Sequence, residues 1–397
     1  AEVEDVPMLD FGEDRRLSKR RLILAICVSG LFVSMGSWFA TTAAIDIYTH
    51  AWRGGSTTWV APYVNVELKP TVFFEGYDNP LLQNIVMGPV VAATSERCIP
   101  SWGARYNLEA AARALDLDRR LVRFRARGGT AIASFAGDAE SDLATACTDV
   151  ESLTAAYQTV IDRYQLGIID FLVRQEVLSG QSREVNQRRL AAIERLASAN
   201  QDLEIWLSLP ATSKGLTPDA IKMTVQLLQA GVKPAGINVM TMNFGASKSP
   251  KLPLLDTITT SLTNASRQLV RVYREADAPI KEQAIWQVMG ITPMIGQNEF
   301  AAEVLTPEDA ADLLDFLDSK DLGRISLWSI NRDLPCGRSI ETKQVMDTCS
   351  GVNQDSLEFS RLFTKRFPIS AMGTAGPKET AKGLPEEGGI LAKTASV

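Results

Sequence analysis

The chain has 397 residues, of which 45% are hydrophobic and 22% charged, and its net charge is −6. These are globular values, and the acidic balance excludes the clustered basic face of a nucleic-acid binder. The single histidine, His50, rules out a multi-histidine metal centre and argues against Ser-His-Asp or Cys-His chemistry, which needs an imidazole in the pocket. Any catalysis therefore falls to carboxylates, tyrosines or lysines, and no metal or cofactor is expected.

Residues 1–21 divide into an acidic piece and a basic piece, RRLSKRR. Residues 22–45 carry no charge, and a bilayer-spanning helix needs about 20 such residues. The rival reading is a secretory signal with a cleavage site among Ala40–Ala44, but its apolar region would run only about 7–15 residues. A retained transmembrane helix is therefore expected. Arg15, Arg16, Lys19, Arg20 and Arg21 precede it and Asp46 follows, which keeps the N-terminus cytoplasmic and sends the rest to the periplasmic or extracellular side. Gly30/Ser34 and Gly36/Ala40 have the spacing of a close helix–helix contact, a route to docking on another membrane protein.

Residues 46–58 form a polar linker. The chain from 59 to 368 then alternates eight times between β-rich apolar runs and amphipathic stretches. The runs lie near Val60–Leu68, Ile85–Thr94, Thr130–Gly137, Gly167–Arg174, Leu203–Pro210, Gly236–Phe244, Ile285–Ile295 and Arg324–Ser329. Thr217-Pro218 and Thr306-Pro307-Glu308-Asp309 mark two helix starts, each an N-cap followed by proline. Continuous Val/Ile/Leu/Ala runs suit strands buried on both faces. Eight β–α units predict an α/β fold of the (β/α)8 TIM-barrel type, preceded by the one transmembrane helix. An open doubly wound sheet would want an early glycine-rich phosphate loop, and none is present. In such a barrel the site lies at the C-terminal ends of the strands. Residues 369–397, rich in Gly, Pro, Lys and Glu, are expected to be disordered.

Of the five cysteines, Cys27 falls in the apolar run. Cys336 and Cys349 flank a short polar loop and are expected to pair; Cys98 with Cys147 follows by elimination. Two bridges suit an oxidising compartment, in agreement with the topology.

The strand ends carry a resemblance. WVAPYVNV from Trp59, AIASFAG from Ala131, CTDVESLTAAYQTVIDRYQLGIIDF from Cys147, LPATSKGLTPD from Leu209, INVMTMNFG from Ile237, GITPMIGQNE from Gly290 and LWSINRDLPC from Leu327 resemble, in order, the family-18 glycoside hydrolases of the bacterial chitinase-like branch. The resemblance implies a TIM barrel that cleaves N-acetylglucosamine polymers with help from the substrate's own 2-acetamido group. On the fourth strand the family pattern is Asp-x-x-Asp-x-Asp-x-Glu, with the last two acids orienting the acetamido group and protonating the leaving oxygen. An Asp-Tyr pair on the sixth strand holds the same group.

Aligned on this pattern, Asp170 matches the buried second aspartate, Leu172 replaces the orienting aspartate and Arg174 replaces the acid. Asn243 and Phe244 replace the Asp-Tyr pair, and Ala136 stands where glycine is common. Arginine cannot donate a proton near neutral pH, and general acid catalysis is worth roughly 10²–10⁴-fold. The catalytic set is therefore not intact. Glu176 is the candidate displaced acid: a continuing strand keeps its phase but carries it about 6–7 Å outward at roughly 3.3 Å per residue. Asp138 and Glu140 are read as solvated loop acids. Arg174, on the same face as Asp170, is expected to pair with it and plug the old site. Tyr63, Ser134, Met240, Trp286 and the retained Trp328 are candidate ligand-binding residues. The expected protein is a membrane-anchored chitinase-like pseudoenzyme, a binding or assembly subunit outside the cytoplasm. The alternatives are an active glycosidase and a lectin-like binder of amino-sugar glycans.

Overall fold

The computed structural model describes residues 58–76, 82–180, 183–337 and 345–367. The expected membrane helix, most of the linker, His50, Cys27 and the tail lie outside the described residues. Among the described residues, no helix is long and apolar enough to cross a membrane.

Eight parallel strand positions form a closed ring. The first is split into Trp59–Val60 and Tyr63–Asn65. The others are Asn84–Thr94, Thr130–Phe135, Ile168–Leu172, Glu204–Thr212, Gly236–Thr241, Met289–Pro293 and Arg324–Ile325. Trp59 and Val60 pair in parallel with Arg324 and Ile325 of the eighth strand. Tyr63 to Asn65 pair with Val86 to Gly88 of the second. The first segment thus joins both ends of the sheet, which makes the α/β array a barrel. Each of the eight apolar runs coincides with a strand to within one or two residues at one end or holds it inside. The seventh strand does not begin where the run begins, because Glu282–Val288 is a 3-10 helix and the strand opens at Met289.

The helices between the strands pack outside the ring. They include Val150–Tyr164, Arg183–Ala199, Pro218–Gln229, Leu254–Glu275 and Pro307–Asp318. The two starts marked by proline hold: Thr217 accepts from Ala220 N–H, and Thr306 with Asp309 closes a full capping box. Such caps satisfy the orphan donors of a first turn, each worth about 1 kcal/mol. Both disulfides form, Cys98–Cys147 with Cα atoms 4.5 Å apart and Cys336–Cys349 with 5.1 Å. The first ties the hairpin strand Arg97–Trp102, which extends the sheet after strand two, to the helix Leu143–Ala146.

Two apolar clusters separate by face, as the period of two along a strand requires. A large one lies between strands and helices. The smaller one fills the barrel axis with Trp59, Ala61, Tyr63, Val86, Ile132, Ile168, Leu172 and Trp206. Glycine makes room for the Trp206 indole: a Cβ on Gly236 would meet its ring atoms at 2.4 Å, and one on Gly290 would meet Asn238 Oδ1 at 2.8 Å.

Candidate functional site

Asp170 sits at the centre of the barrel with no exposed surface. Its Oδ2 accepts from Tyr63 O–H at 2.8 Å and Ser134 O–H at 2.8 Å. Its Oδ1 accepts from Ser208 O–H at 2.6 Å and from Arg324 Nη1 at 2.9 Å. The expected pairing with Arg174 is therefore corrected: the partner of Asp170 is Arg324, the first residue of the eighth strand and equally buried. Arg324 also donates through Nε to Ser326 Oγ at 2.8 Å. Its guanidinium carbon lies 5.3–5.6 Å from the ring centres of Trp59, Tyr63 and Trp206. Burial opposes its charge, but Asp170 and Tyr63 outweigh that, so its pKa is raised. Burial, and next the Asp170 charge, push the Tyr63 phenol up in turn. A buried carboxylate that accepts from three hydroxyls and a guanidinium is what a buried charge pair needs to persist.

Above this network the fourth strand ends at Leu172, whose side chain packs in the axial cluster. Arg174 comes after the strand and is half exposed, with Nε 2.6 Å from Glu176 Oε1. Glu176 lies in the first turn of the helix Gln175–Gly180. The strand does not continue to carry Glu176 in phase, so that expectation is also corrected: a helix starts one residue after Arg174. Asp138 is exposed and accepts from Ser141 Oγ at 2.8 Å and from two backbone N–H groups. The Ser141 hydrogen bonds, with Arg174 a smaller contributor, hold its carboxyl below the usual range. Among the described residues there is no metal-binding cluster of His, Cys, Asp and Glu.

At the end of the sixth strand the chain turns away from the axis. Asn243 has φ of +52°, a left-handed conformation that asparagine tolerates better than most residues. Its side chain accepts from Glu299 N–H at 3.1 Å. Phe244 follows and is buried in the outer cluster, between strands and helices. Glu303, buried in the loop after strand seven, takes the N–H groups of Phe244 at 2.9 Å and Gly245 at 2.7 Å. Burial raises its carboxyl pKa despite those bonds. The Phe244 ring, expected in place of a tyrosine, is thus packed in the cluster between strands and helices.

The five candidate ligand residues divide. Trp328, partly exposed, leans on Tyr63 with ring centres 5.4 Å apart, and its peptide bond to Ser329 is cis. Met240, partly buried, packs beside it against the axial cluster. Tyr63 and Ser134 are each about 1% exposed and are spent on Asp170. They support the floor and are not free to touch a ligand. Trp286 is placed elsewhere: it lies in the 3-10 helix before strand seven, at the opposite end of the barrel, against Phe316 and Lys320. The apolar run that included it hid this, because the run spans the helix-to-strand boundary. The residue missed altogether was Arg324. Its signal was a charge heading an apolar strand, RISLW, with both faces due to be buried.

No protein-family model matches the chain. It is 28% identical over 291 residues to the probable bifunctional chitinase/lysozyme of Escherichia coli, covering 70% of this chain and 31% of that protein. It is 29% identical over 226 residues to endochitinase 11 of Metarhizium anisopliae, covering 54% and 42%. The chain thus spans less than half the length of these curated relatives. Among solved structures, active domain 2 of the chitinase from Pyrococcus furiosus shares the fold, with a TM-score of 0.67 at 24% identity, covering 79% of this chain and 97% of that one. The chain is thus similar in sequence to these chitinases and shares the fold of the Pyrococcus domain, in line with the expected resemblance to glycoside hydrolase family 18.

Proposed function

We propose that the barrel binds an amino-sugar polymer at its mouth without cleaving it. The observation that carries this reading is the fate of the fourth strand's end. Where the family places its proton donor, an arginine stands outside the strand, paired at 2.6 Å with the candidate displaced acid, Glu176. The orienting aspartate's place holds Leu172, packed in the axial cluster. The sixth strand's Phe244 is sequestered in the outer core. A substrate-assisted cleavage needs a donor within hydrogen-bond reach of the leaving oxygen and a group to stabilise the acetamido charge. Neither of those two positions supplies one. Trp328 remains over a rigid, hydrogen-bonded floor, and an aromatic face on a fixed base suits a sugar ring. The Pyrococcus relative has been solved with chito-oligosaccharides, and that ligand class is carried over here as part of the proposal.

The proposal extends to location. The uncharged segment 22–45 tethers the barrel to a membrane, with the basic residues before it on the cytoplasmic side. The two disulfides are in keeping with an oxidising compartment outside it. In this reading the protein is a binding or assembly subunit of the envelope. Titration of the full chain with a hexamer of N-acetylglucosamine, beside Trp328→Ala, tests the binding claim. Saturable binding that the variant loses is expected; no binding, or binding indifferent to Trp328, counts against it.

A further inference from the structure

A groove of about 530 Å³ opens between the helices Arg183–Ala199 and Pro218–Gln229. These helices follow strands four and five, so their first turns lie on the mouth side of the barrel. Gln175, the residue after Arg174, donates through Nε2 to Asp219 Oδ2 at 2.8 Å, and Asp219 lines the groove. This hydrogen bond ties the turn after strand four to the lining of the groove. The volume lies within the roughly 300–1,000 Å³ of ligand sites.

The lining has a mixed chemistry. Leu190 and Met223 give it an apolar part, and Arg183, Arg189 and Lys222 give it three cations against the single acid Asp219. Arg189 is buried and engaged, paired with Asp142 at 3.1 Å and donating to Asn186 Oδ1 at 2.7 Å. Arg183 and Lys222 are exposed and enter no ion pair with the described residues. On a chain of net charge −6, such a local cationic groove is a field that selects for negative charge. A neutral sugar chain gains no ion pairing from the two open cations, and a simple inorganic anion gains nothing from the apolar lining.

We propose that this groove receives the carboxylate of an acidic amino sugar while a neighbouring sugar of the same chain occupies the mouth. The inference rests on the mouth binding an amino-sugar polymer. It specifies the polymer: one in which carboxylate-bearing units follow N-acetylglucosamine, not plain chitin. Arg183 and Lys222 are specificity determinants in this arrangement and touch no part of the barrel floor.

The test is calorimetry on the full chain with two hexasaccharides, an N-acetylglucosamine homopolymer and an alternating N-acetylglucosamine/N-acetylmuramic acid chain. The acidic hexamer should bind about tenfold more tightly in low salt, and the preference should shrink as salt screens the pair. Arg183→Ala/Lys222→Ala should abolish the preference and leave the affinity for the neutral hexamer unchanged. Both residues are exposed, where substitutions usually shift stability by about 0.5 kcal/mol or less, and an unchanged melting temperature confirms the fold. Equal affinities for the two hexamers, or a preference that survives the double variant, overturn the groove assignment while the mouth reading stands. Silence toward both hexamers overturns the mouth reading together with it.

Discussion

Asp170→Asn is the most informative single change to the barrel. The substitution keeps the volume and removes the charge that compensates Arg324, whose side chain and that of Asp170 are both 0% exposed. Deleting one partner of a buried pair typically costs about 3–5 kcal/mol, because the survivor is left as an uncompensated charge. A domain of this size loses about 2 °C per kcal/mol, so the melting temperature should fall by roughly 6–10 °C. Arg174→Ala is the matched control. Its pair with Glu176 has side chains 48% and 52% exposed, and exposed pairs contribute about 0–1 kcal/mol. The control should shift melting by no more than about 2 °C. Asp170→Leu with Arg324→Met should recover part of the loss: the charges go together and Tyr63 and Ser208 can still pair with each other at 2.9 Å, but the Ser134 hydroxyl loses its acceptor, at about 1–3 kcal/mol for a group left unsatisfied. Thermal melts of the three variants decide the matter. If Arg174→Ala destabilises as much as Asp170→Asn, the assignment of Arg324 as the structural partner is wrong.

Further expectations follow from other parts of the fold. Gly236→Ala should cost about 1–3 kcal/mol by overpacking, since its Cβ would meet Trp206 ring atoms at 2.4 Å; a denaturant midpoint equal to the native one would refute that close approach. Removing Cys98–Cys147, which closes a separation of 49 residues, should destabilise more than removing Cys336–Cys349, with 13. Loop entropy gives roughly 4 against 3 kcal/mol, and the reverse order in urea melts would contradict it. Glu67, buried beside Gly103 with one oxygen lacking a hydrogen-bond partner, has its pKa raised chiefly by burial. Its folded carboxyl therefore binds its proton more tightly than the unfolded one. Stability from this group is present below the ordinary glutamate range and is lost as pH rises toward the folded value. Glu67→Gln should gain stability at pH 7 relative to the native chain and show no such gain near pH 3; a gain of equal size at both pH values would exclude ionisation as the cause.

The barrel itself was legible because eight β-rich runs alternate with amphipathic segments, and a closed ring is the arrangement that buries both faces of every strand. Three features escaped for separate physical reasons. Trp286 was placed at the wrong end because a continuous apolar run does not show where a 3-10 helix gives way to a strand. The phase argument for Glu176 failed because periodicity assumes an unbroken strand, and the helix Gln175–Gly180 begins immediately after Arg174. The partner of Asp170 is 154 residues away in sequence, and barrel closure brings the two together; local spacing favoured Arg174 only because it was near. The sixth strand shows a further limit. Reading Phe244 as a simple replacement for tyrosine overlooked the left-handed Asn243 and the Glu303 clamp, which hold the backbone of that turn as well as the side chain.

The last point bears on reversal. Because Glu303 and the left-handed Asn243 hold that turn with Phe244 buried, Leu172→Asp, Arg174→Glu, Asn243→Asp and Phe244→Tyr together should restore less activity than a comparison of sequences would suggest. The central claim concerns the native protein and is tested most directly by release of reducing ends from an N-acetylglucosamine hexamer. The full chain should be assayed beside Glu176→Gln. The account predicts no turnover by either protein above the reaction without enzyme. Turnover by the native chain that Glu176→Gln abolishes would contradict it, and would make the exposed partner of Arg174 the catalytic acid.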